Sequence, residues 1–499
     1  TYADNGTYTV TLTVTDSAGN SSSDTLTVTV THNAPEEPCI GAYTIDNLTN
    51  YSSGSYAYYP QINDNGQVVW HQWNGSTSAN DVYLYNDTTS TTFNLTNNGS
   101  GVYASYPQIN NNGHVVWHQG NGAMGDIYYY DGTTTTKLTN IVGNDFAQMP
   151  HVNDNGQVVW NLHQWNNSQS TSDIYLYDGA TTTNLTNNSS GITASEHQIN
   201  DRGQVVWTQE SSINGSGYRD VYLYDGTTTT NLTNNSSGIY ASSPQINNSW
   251  HVVWYQQIDV YLYDGATTTN LTNNNGSYTS SYNPQINDGG LVVWNQYQRN
   301  SFTYYVDVYL YNGATTTNLT NNSSDIYAYS PQINNRGQVV WYQWDNSTYA
   351  YNIYLYDGAT TTNLTNNVDY GWLQSPQIND SGQAVWYQDN NIYLAVPCVV
   401  KGTNQPPIVN AGSHQTATEG NVVAFTGSYT DEDQADSHTY SWDFGDGSPS
   451  VTDTVTPSHT YADNKTYAVT LTVTDSAGNS SSGTVTVTVT NSAPAVNAG

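Results

Sequence analysis

Acidic side chains cluster near residue 430, where they could bind a cation. Asp431, Glu432, Asp433 and Asp436 lie close together in one segment. Carboxylate oxygens presented by a loop are the ligands that Ca²⁺ prefers in proteins. Asp431, Asp433 and Asp436 are therefore candidate calcium ligands, and calcium is the one cofactor that the sequence suggests. A solvated acidic turn is the alternative interpretation of the same residues.

Asparagine sequons are a second chemical feature and could carry glycans. They recur as Asn-Leu-Thr and, in segments that resemble loops, as Asn-Ser-Ser. In a sequence so rich in Asn, Ser and Thr many sequons arise from composition alone, and those in loops are the better acceptors. The glycosylation candidates are Asn94, Asn184, Asn188, Asn231, Asn235, Asn270, Asn318, Asn322 and Asn363.

Histidines do not form a convergent catalytic pattern. His71 and His118 follow a tryptophan at repeat positions where other repeats have threonine or tyrosine, namely Thr208, Tyr255, Tyr342 and Tyr387. A position that accepts His, Thr or Tyr is interpreted as a surface position of a strand. No Gly-x-Ser-x-Gly, His-Glu-x-x-His or phosphate-loop motif occurs. We therefore expect no enzymatic activity in this sequence.

The charge balance excludes several classes of partner. Lys and Arg number 7 against 40 Asp and Glu, which gives a formal net charge of -33. So few cations cannot neutralise a run of phosphates, so nucleic acid is excluded as a partner. The same shortage argues against binding to anionic lipid. No apolar run is long enough for a membrane-spanning helix, so no membrane insertion is expected.

A four-part repeat with a spacing of 40 to 47 residues fills the middle of the sequence. Its parts are Pro-Gln-Ile-Asn, Val-Val-Trp, Tyr-Leu-Tyr and Asn-Leu-Thr-Asn, and Asn-Gly or Asp-Gly pairs lie between them. Short segments rich in Val, Ile, Tyr, Trp and Thr, bounded by such turns, predict strands. Four strands in a unit of this length are typical of a β-propeller blade. The tyrosines of the repeat are interpreted as packing residues in preference to a carbohydrate-stacking surface.

The repeat count predicts an eight-bladed propeller over residues 39–398. The last blade lacks its Leu-Thr-Asn segment, which occurs instead at Leu48, before the first blade. Residues 45–50 are therefore predicted to form the outermost strand of the last blade and to close the ring. Cys39 lies just before residues 45–50, and Cys398 lies just after the strand of the last blade with which they should pair. This placement predicts a disulfide and therefore an oxidising compartment. Two unrelated buried thiols are the alternative.

A different pattern follows the predicted linker 399–407. The segments Tyr440–Gly447 (YSWDFGDG), His459–Tyr461 (HTY) and Val469–Asp475 (VTLTVTD) occur in this order, and a Val-Thr alternation follows. Together they resemble a PKD domain, a β-sandwich of the immunoglobulin type, over residues 406–492. PKD domains of some secreted enzymes bind calcium near an acidic loop, so the resemblance also implies the calcium site.

Partial copies of the same pattern stand at both ends of the sequence. Residues 1–35 closely repeat residues 460–494, and residues 494–499 resemble residues 407–412. We interpret residues 1–35 as the C-terminal half of a PKD-like domain and residues 493–499 as the start of another. The half domain is completed either by the same chain or by a second one. The predicted fold class is all-β: an eight-bladed β-propeller with immunoglobulin-like (PKD) β-sandwich modules.

The combination of modules implies a location and a role. The blades resemble TolB-type, WD40-like repeats, and propellers joined to PKD domains resemble surface-layer and cell-envelope proteins of methanogenic archaea. We therefore expect an extracellular structural protein of a cell-surface layer, sheath or filament, with copies of itself as partners through the PKD-like modules. The alternative is an adhesion module whose propeller recognises a glycan or a protein.

Overall fold

The computed structural model describes residues 6–15, 21–30, 43–51, 54–122, 124–166, 169–213, 216–236, 238–274, 276, 278–299, 303–323, 325–365, 368–369, 373–398, 406–431, 437–476 and 478–491. All regular elements in these ranges are β-strands, and the ranges contain no helix that could cross a membrane. The chain divides into two compact units, Thr1–Cys398 and Val399–Gly499.

The first unit contains eight four-stranded antiparallel sheets, so the predicted all-β, eight-bladed propeller is confirmed. The first strands of blades one to eight are Ser55–Ile62, Tyr103–Ile109, Phe146–Val152, Ile192–Ile199, Ala241–Ile246, Thr279–Ile286, Ile326–Ile333 and Leu373–Ile378. The second strands are Val68–Asn74, Val115–Asn121, Val158–Asn166, Val205–Ile213, Val252–Gln256, Val292–Arg299, Val339–Asp345 and Ala384–Gln388.

The third and fourth strands complete each blade toward its outer edge. The third strands are Ala79–Asn86, Met124–Tyr130, Gln169–Tyr177, Ser216–Tyr224, Asp259–Tyr263, Tyr304–Tyr311, Ala350–Tyr356 and Asn391–Pro397. The fourth strands of blades one to seven are Thr91–Asn94, Thr135–Lys137, Thr182–Asn184, Thr229–Asn231, Thr268–Asn270, Thr316–Asn318 and Thr361–Asn363. A short extra strand, Val368–Asp369, pairs with the start of the third strand of blade seven.

The eighth blade takes its outermost strand from the other end of the propeller sequence. Tyr43–Asn47 pairs antiparallel with Asn391–Pro397, from Tyr43 opposite Pro397 to Asn47 opposite Tyr393. The strand predicted over residues 45–50 therefore lies a few residues earlier, because it begins at Tyr43 and ends at Asn47. It ends there because the Asn47 side chain accepts hydrogen bonds from the backbone N–H groups of Thr49 and Asn50, which turns the chain.

A belt of asparagine side chains joins all eight blades. The asparagine of each Pro-Gln-Ile-Asn segment donates its Nδ2 hydrogen to the backbone carbonyl of the equivalent asparagine in the next blade, over 2.7–2.9 Å. Asn379 of blade eight donates to the carbonyl of Asn63 in blade one, which closes the circle. The members are Asn63, Asn110, Asn153, Asn200, Asn247, Asn287, Asn334 and Asn379, all of them buried.

Both faces of each blade are buried against a neighbour. Val68 and Trp70 pack in the layer between blades one and eight, whereas Val69 packs between blades one and two. This is why the Val-Val-Trp segment is apolar throughout instead of alternating with polar residues. Each tryptophan stacks on the first tyrosine of the Tyr-Leu-Tyr segment, as Trp70 does on Tyr83 at a centroid distance of 5.8 Å. The packing role predicted for these tyrosines is thereby confirmed.

The second unit is a β-sandwich with its own core. Its strands are Ile408–Asn410, Gln415–Thr418, Val422–Ala424, Ser428–Thr430, Thr439–Asp443, Val451–Thr452, Ser458–Thr460, Thr466–Thr474 and Ser480–Thr490. Phe425, Trp442, Phe444 and Tyr461 form the fully buried aromatic centre.

A separate hairpin precedes the propeller in the sequence. Gly6–Thr15 pairs with Ser21–Val30, with Thr7 opposite Thr29 and Thr15 opposite Ser21. The last two strands of the β-sandwich use the same register at the matching positions, with Thr466 opposite Thr488.

Candidate binding site at the mouth of the axial channel

The first strand of every blade carries a β-bulge at the same place. The residue before the Pro-Gln-Ile-Asn segment has a left-handed backbone in all eight blades, with φ between 48° and 55°. The pairing with the second strand shifts register there. A non-glycine residue in this conformation is strained by roughly 1–3 kcal/mol. Bulges of this kind re-aim side chains, here toward one end of the channel that the first strands surround.

The bulge residues vary although the segment that follows them hardly does. In order of the blades they are Tyr59, Tyr106, Met149, Glu196, Ser243, Asn283, Ser330 and Ser375. Large side chains thus occupy one half of the ring and small ones the other half. Eight repeats in one chain act as an internal comparison: positions required by the blade are constant, and this ring is not.

Aromatic rings form a continuous arc across blades eight, one and two. Its members, called the aromatic arc below, are Tyr387, Tyr58, His71, Tyr59 and Tyr106. Consecutive ring centroids are 5.2, 5.7, 5.5 and 5.8 Å apart. Tyr59 and Tyr106 are 48% and 41% exposed, so their rings are open to solvent. The arc can stack on a flat partner at low entropic cost, because tyrosine has few rotatable bonds.

The position after the blade tryptophan is buried, so its interpretation as a surface position is wrong. His71 and His118 are 7% and 6% exposed, and Thr208 is 0% exposed. The cause is that each second strand lies between two neighbouring blades. Burial lowers the pKa of His71 to about 4 and also lowers that of His118. Both imidazoles are therefore neutral at physiological pH, and His71 supports the arc by packing between Tyr58 and Tyr59.

A second group of tyrosines lies on blades six and seven. Tyr304 stacks on Tyr327 at 4.8 Å, and Tyr329 contacts Tyr342 at 5.4 Å. Burial, with neighbouring tyrosines, raises the pKa of Tyr329 to about 12, so its hydroxyl remains a hydrogen-bond donor. None of these residues belongs to the Tyr-Leu-Tyr motif. The sequence signal for Tyr342 is its repeat position after the blade tryptophan, where Tyr255 and Tyr387 also occur.

The two ends of the propeller differ in chemistry. Most exposed large apolar side chains of the propeller lie on the bulges or at the end where the first strands begin, among them Met124, Trp165, Tyr278, Tyr304 and Tyr349. The opposite end, where the first strand turns into the second, is lined by asparagine and aspartate. We call these the aromatic end and the polar end.

At the polar end a carboxylate ring surrounds the axis. Its members are Asp64, Asn111, Asp154, Asp201, Asn248, Asp288, Asn335 and Asp380. Each accepts a hydrogen bond at Oδ1 from the backbone N–H of its counterpart in the preceding blade. Burial, together with the charge of Asp380, raises the pKa of Asp64 to about 6. Burial and neighbouring carboxylates also raise the pKa of Asp154 and Asp288.

The predicted calcium ligands are only partly described. Asp431 is nearly buried and accepts a hydrogen bond from Nε2 of His438 at 2.6 Å, so it is not a solvated turn residue. Asp433 and Asp436 lie outside the described residues. In the part of the chain that the structure describes, no group of three or more His, Cys, Asp or Glu side chains is arranged to hold a metal ion. The calcium site stays a prediction.

Most of the predicted glycosylation asparagines hold the blade edges together. The Oδ1 atoms of the Asn-Leu-Thr asparagines accept backbone hydrogen bonds from the threonine of the sequon, as in Asn94, Asn184, Asn231, Asn270, Asn318 and Asn363. The loop asparagines donate Nδ2 hydrogens to carbonyls of the third strands, Asn188 to Ser172, Asn235 to Arg219 and Asn322 to Val306. Glycosylation stays a prediction. At the three loop sites it would replace a hydrogen bond to a third strand.

The predicted disulfide is described at one end only. Cys398 directly follows the strand Asn391–Pro397, and Cys39 lies outside the described residues. Tyr43, the first described residue after Cys39, pairs with Pro397, the residue before Cys398. The Cys39–Cys398 disulfide therefore stays a prediction.

Comparison with known proteins identifies the second unit. Residues 404–490 match the family described as PKD domain. The PKD1 domain of Vibrio anguillarum Epp is 33% identical over 18% of this chain and all of that domain, with a TM-score of 0.16. This chain contains a PKD domain. The match is consistent with an extracellular module, and it does not extend to the resemblance to archaeal surface-layer proteins.

Solved structures similar to larger parts of the chain have low identity. A puromycin-hydrolysing peptidase of Mycobacterium tuberculosis is 11% identical, with a TM-score of 0.41, and covers 64% of this chain and 61% of its own. The extracellular domain of BT4673 from Bacteroides thetaiotaomicron is 8% identical, with a TM-score of 0.27, and covers 87% of this chain and 81% of its own. No curated protein matches the chain.

Proposed function

We propose that this chain is an extracellular binding module whose propeller recognises a glycan at its aromatic end. The observation that carries the proposal is the aromatic arc. Its exposed members, Tyr59 and Tyr106, are presented by strained bulges at a ring of positions that varies from blade to blade. Constant positions serve the fold, so the variable ring is available for recognition.

The chemistry of the aromatic end favours a neutral glycan. Tyrosine rings stack on the apolar faces of sugar rings, and their hydroxyls can bind sugar hydroxyls. The ring of glutamines below the bulges, with Gln245, Gln285 and Gln332 lining the cavity, adds neutral donors and acceptors. A net charge of -33 repels polyanionic glycans over long distances. The PKD domain supports an extracellular location.

The test is binding of neutral glycans by matched variants. Tyr59→Ser combined with Tyr106→Ser installs the residue that Ser243, Ser330 and Ser375 already provide at the same left-handed position. The matched control is Phe93→Thr, because Phe93 is a 52% exposed aromatic residue on an outermost strand where other blades have threonine. A glycan array first identifies the ligand. Calorimetry should then show that the double variant binds it at least about tenfold more weakly than the parent, and that the control variant binds it with the parent's affinity.

Two results would contradict the proposal. One is a wild-type protein that binds no glycan on an array that includes neutral polysaccharides. The other is a ligand whose affinity is unchanged by the double tyrosine replacement although both variants melt at the parent temperature.

A structural role in a surface layer, sheath or filament is the second candidate function. The hairpin Gly6–Val30 favours it, because its register matches that of the last two PKD strands. In the PKD domain each of those strands has a further partner, Thr439–Asp443 on one side and Gln415–Thr418 on the other. A PKD-like half domain with this register could join neighbouring modules head to tail. Electron microscopy of native material would favour this role if it showed ordered polymers, and adhesion alone if it showed isolated particles.

A further inference from the structure

Two histidines stand where the other blades have proline or glutamine. His197 occupies the proline position of blade four, and His151 occupies the glutamine position of blade three. All other blades keep Pro-Gln at these places. The two departures from a near-constant repeat are on adjacent blades, and both side chains line the cavity at the aromatic end, which has a volume of about 310 Å³.

The two imidazoles are in contact. Their ring centroids are 5.3 Å apart and the rings are perpendicular, at 88°. Nε2 of His197 lies 2.7 Å from the backbone carbonyl of Met149, so this nitrogen carries the hydrogen. Nε2 of His151 lies 3.3 Å from Nε2 of Gln198, whereas the Nδ1 atoms of both His151 and His197 are buried and have no hydrogen-bond partner among the described residues. A buried polar atom without a partner is costly unless a ligand or a water satisfies it.

We propose that His151 and His197 together bind a late first-row divalent metal ion, with Zn²⁺ as the representative. Neutral imidazole is the commonest protein ligand for this class of ion. A coordinating histidine usually donates its other N–H to a carbonyl or carboxylate, and the His197–Met149 hydrogen bond is such an arrangement.

The spacing of the rings suits one shared ion. Two imidazoles on a tetrahedral ion, each nitrogen about 2.0–2.1 Å from the metal, have centroids about 5 Å apart, close to the 5.3 Å observed. Because the rings now meet edge to face, binding requires one of them to rotate about its Cβ–Cγ bond. No third His, Cys, Asp or Glu completes the site among the described residues. The remaining coordination positions therefore belong to water or to a molecule in the channel.

The experiment is a Zn²⁺ titration by calorimetry at pH 7.5, on full-length protein first treated with a chelator. His151→Gln and His197→Pro restore the residues of the other blades, so both are expected to fold. The control is His71→Tyr, which removes an equally buried histidine at a position where Tyr255, Tyr342 and Tyr387 already occur. We expect a saturable Zn²⁺ site that is weakened at least tenfold in either variant and is unchanged in the control. Zn²⁺ should also raise the Tm of the parent but not of the two variants.

The proposal is wrong if His151→Gln and His197→Pro bind Zn²⁺ as the parent does, or if the parent binds no Zn²⁺ in a saturable manner. Should either variant fail to melt cooperatively, NMR of the parent decides: Zn²⁺ must shift the ring signals of His151 and His197 and leave those of His71 in place. This test is independent of glycan binding, because its readout is binding of the metal alone and neither His151 nor His197 belongs to the aromatic arc.

Discussion

At the scale of single residues, neighbouring carboxylates set the stability of the polar end. Around the carboxylate ring, Nδ2 of Asn111 donates to Asp64 and to Asp154, at 2.7 and 3.1 Å. Asp64 and Asp380 adjoin each other without such an amide between their carboxylates, and the charge of Asp380 contributes to the raised pKa of Asp64. Three amides cannot separate five carboxylates in a ring of eight, so some like charges must meet.

The replacement Asp64→Asn is expected to stabilise the propeller at neutral pH. In the parent, Asp64 has a folded-state pKa of about 6, above the ordinary value of 3.8. Protonation therefore favours the folded state, and this stabilisation is lost as the pH rises through about 6. An amide at position 64 carries no charge and can donate to Asp380, although it gives up the hydrogen bond that Asp64 accepts from Asn111. Because the removed charge is the larger effect, we expect a net gain of about 1–2 kcal/mol at pH 7.5 and none at pH 4.

Thermal melting at the two pH values measures this effect. Asp131→Asn is a control in which the opposite effect is expected. Hydrogen bonds from Thr133 and Thr134 hold the pKa of Asp131 below its usual range, so its replacement should lower the Tm at neutral pH. A loss of stability for Asp64→Asn at pH 7.5 would show that the charge at this position is favourable.

At the scale of elements, one polar network fixes the outer edge of each blade. In blade three, Oγ1 of Thr186 donates to Asp173 at 2.6 Å and accepts from the backbone N–H of Ile174 at 3.2 Å. The same threonine-to-aspartate bond recurs at Thr96, Thr139, Thr233, Thr272 and Thr320. The Asn-Leu-Thr motif therefore begins at the last residue of the fourth strand, and its threonine connects the end of that strand to the third strand.

Thr186→Val tests this connector. The replacement keeps the shape of the side chain but removes one of the two hydrogen bonds to Oδ1 of Asp173 and the side-chain acceptor of the Ile174 N–H. A loss of about 1–3 kcal/mol in the free energy of unfolding is expected. Thr183→Val, on the exposed outermost strand of the same blade, should change it by no more than about 0.5 kcal/mol. Equal effects of the two replacements in denaturant melts would contradict the assigned role.

The elements that sequence reasoning predicted are those specified by local pattern. Blade number, strand number and the packing of tryptophan on tyrosine follow from composition and spacing that repeat eight times. The bulge ring and the asparagine belt could not be derived that way, because Asn63 finds its partner carbonyl in the next blade, 47 residues along the chain. The prediction of a surface position for His71 and His118 is wrong, because variation among repeats does not by itself indicate exposure. At these positions the variation reflects the different side chains against which each residue packs within the wall of the channel.

At the scale of the whole molecule, the ring is closed by a strand and not by a covalent turn. The Tyr43–Asn47 strand occupies in blade eight the place that a turn-connected strand occupies in the other blades. A cross-link between Cys39 and Cys398 would make this closure permanent. In the chain-entropy model, cross-linking a loop of about 360 residues stabilises the folded state by at most roughly 5–6 kcal/mol.

Non-reducing peptide mapping of native protein is expected to find Cys39 and Cys398 in one cross-linked peptide. Reduction of the disulfide should then lower the Tm of the parent. A Cys39→Ser, Cys398→Ser variant should have the same Tm as the reduced parent, whether or not reductant is present. Free thiols at both positions in native protein would show that the strand alone closes the ring.

The asparagine belt has a consequence for how the propeller can come apart. All eight amides point the same way around the axis, from each blade to the next, so the hydrogen bonds form a closed circle. A linear repeat array has ends from which it can fray. A circle has none, so the loss of any one blade orphans a donor on one side and an acceptor on the other. We therefore expect the eight blades to unfold as one cooperative unit.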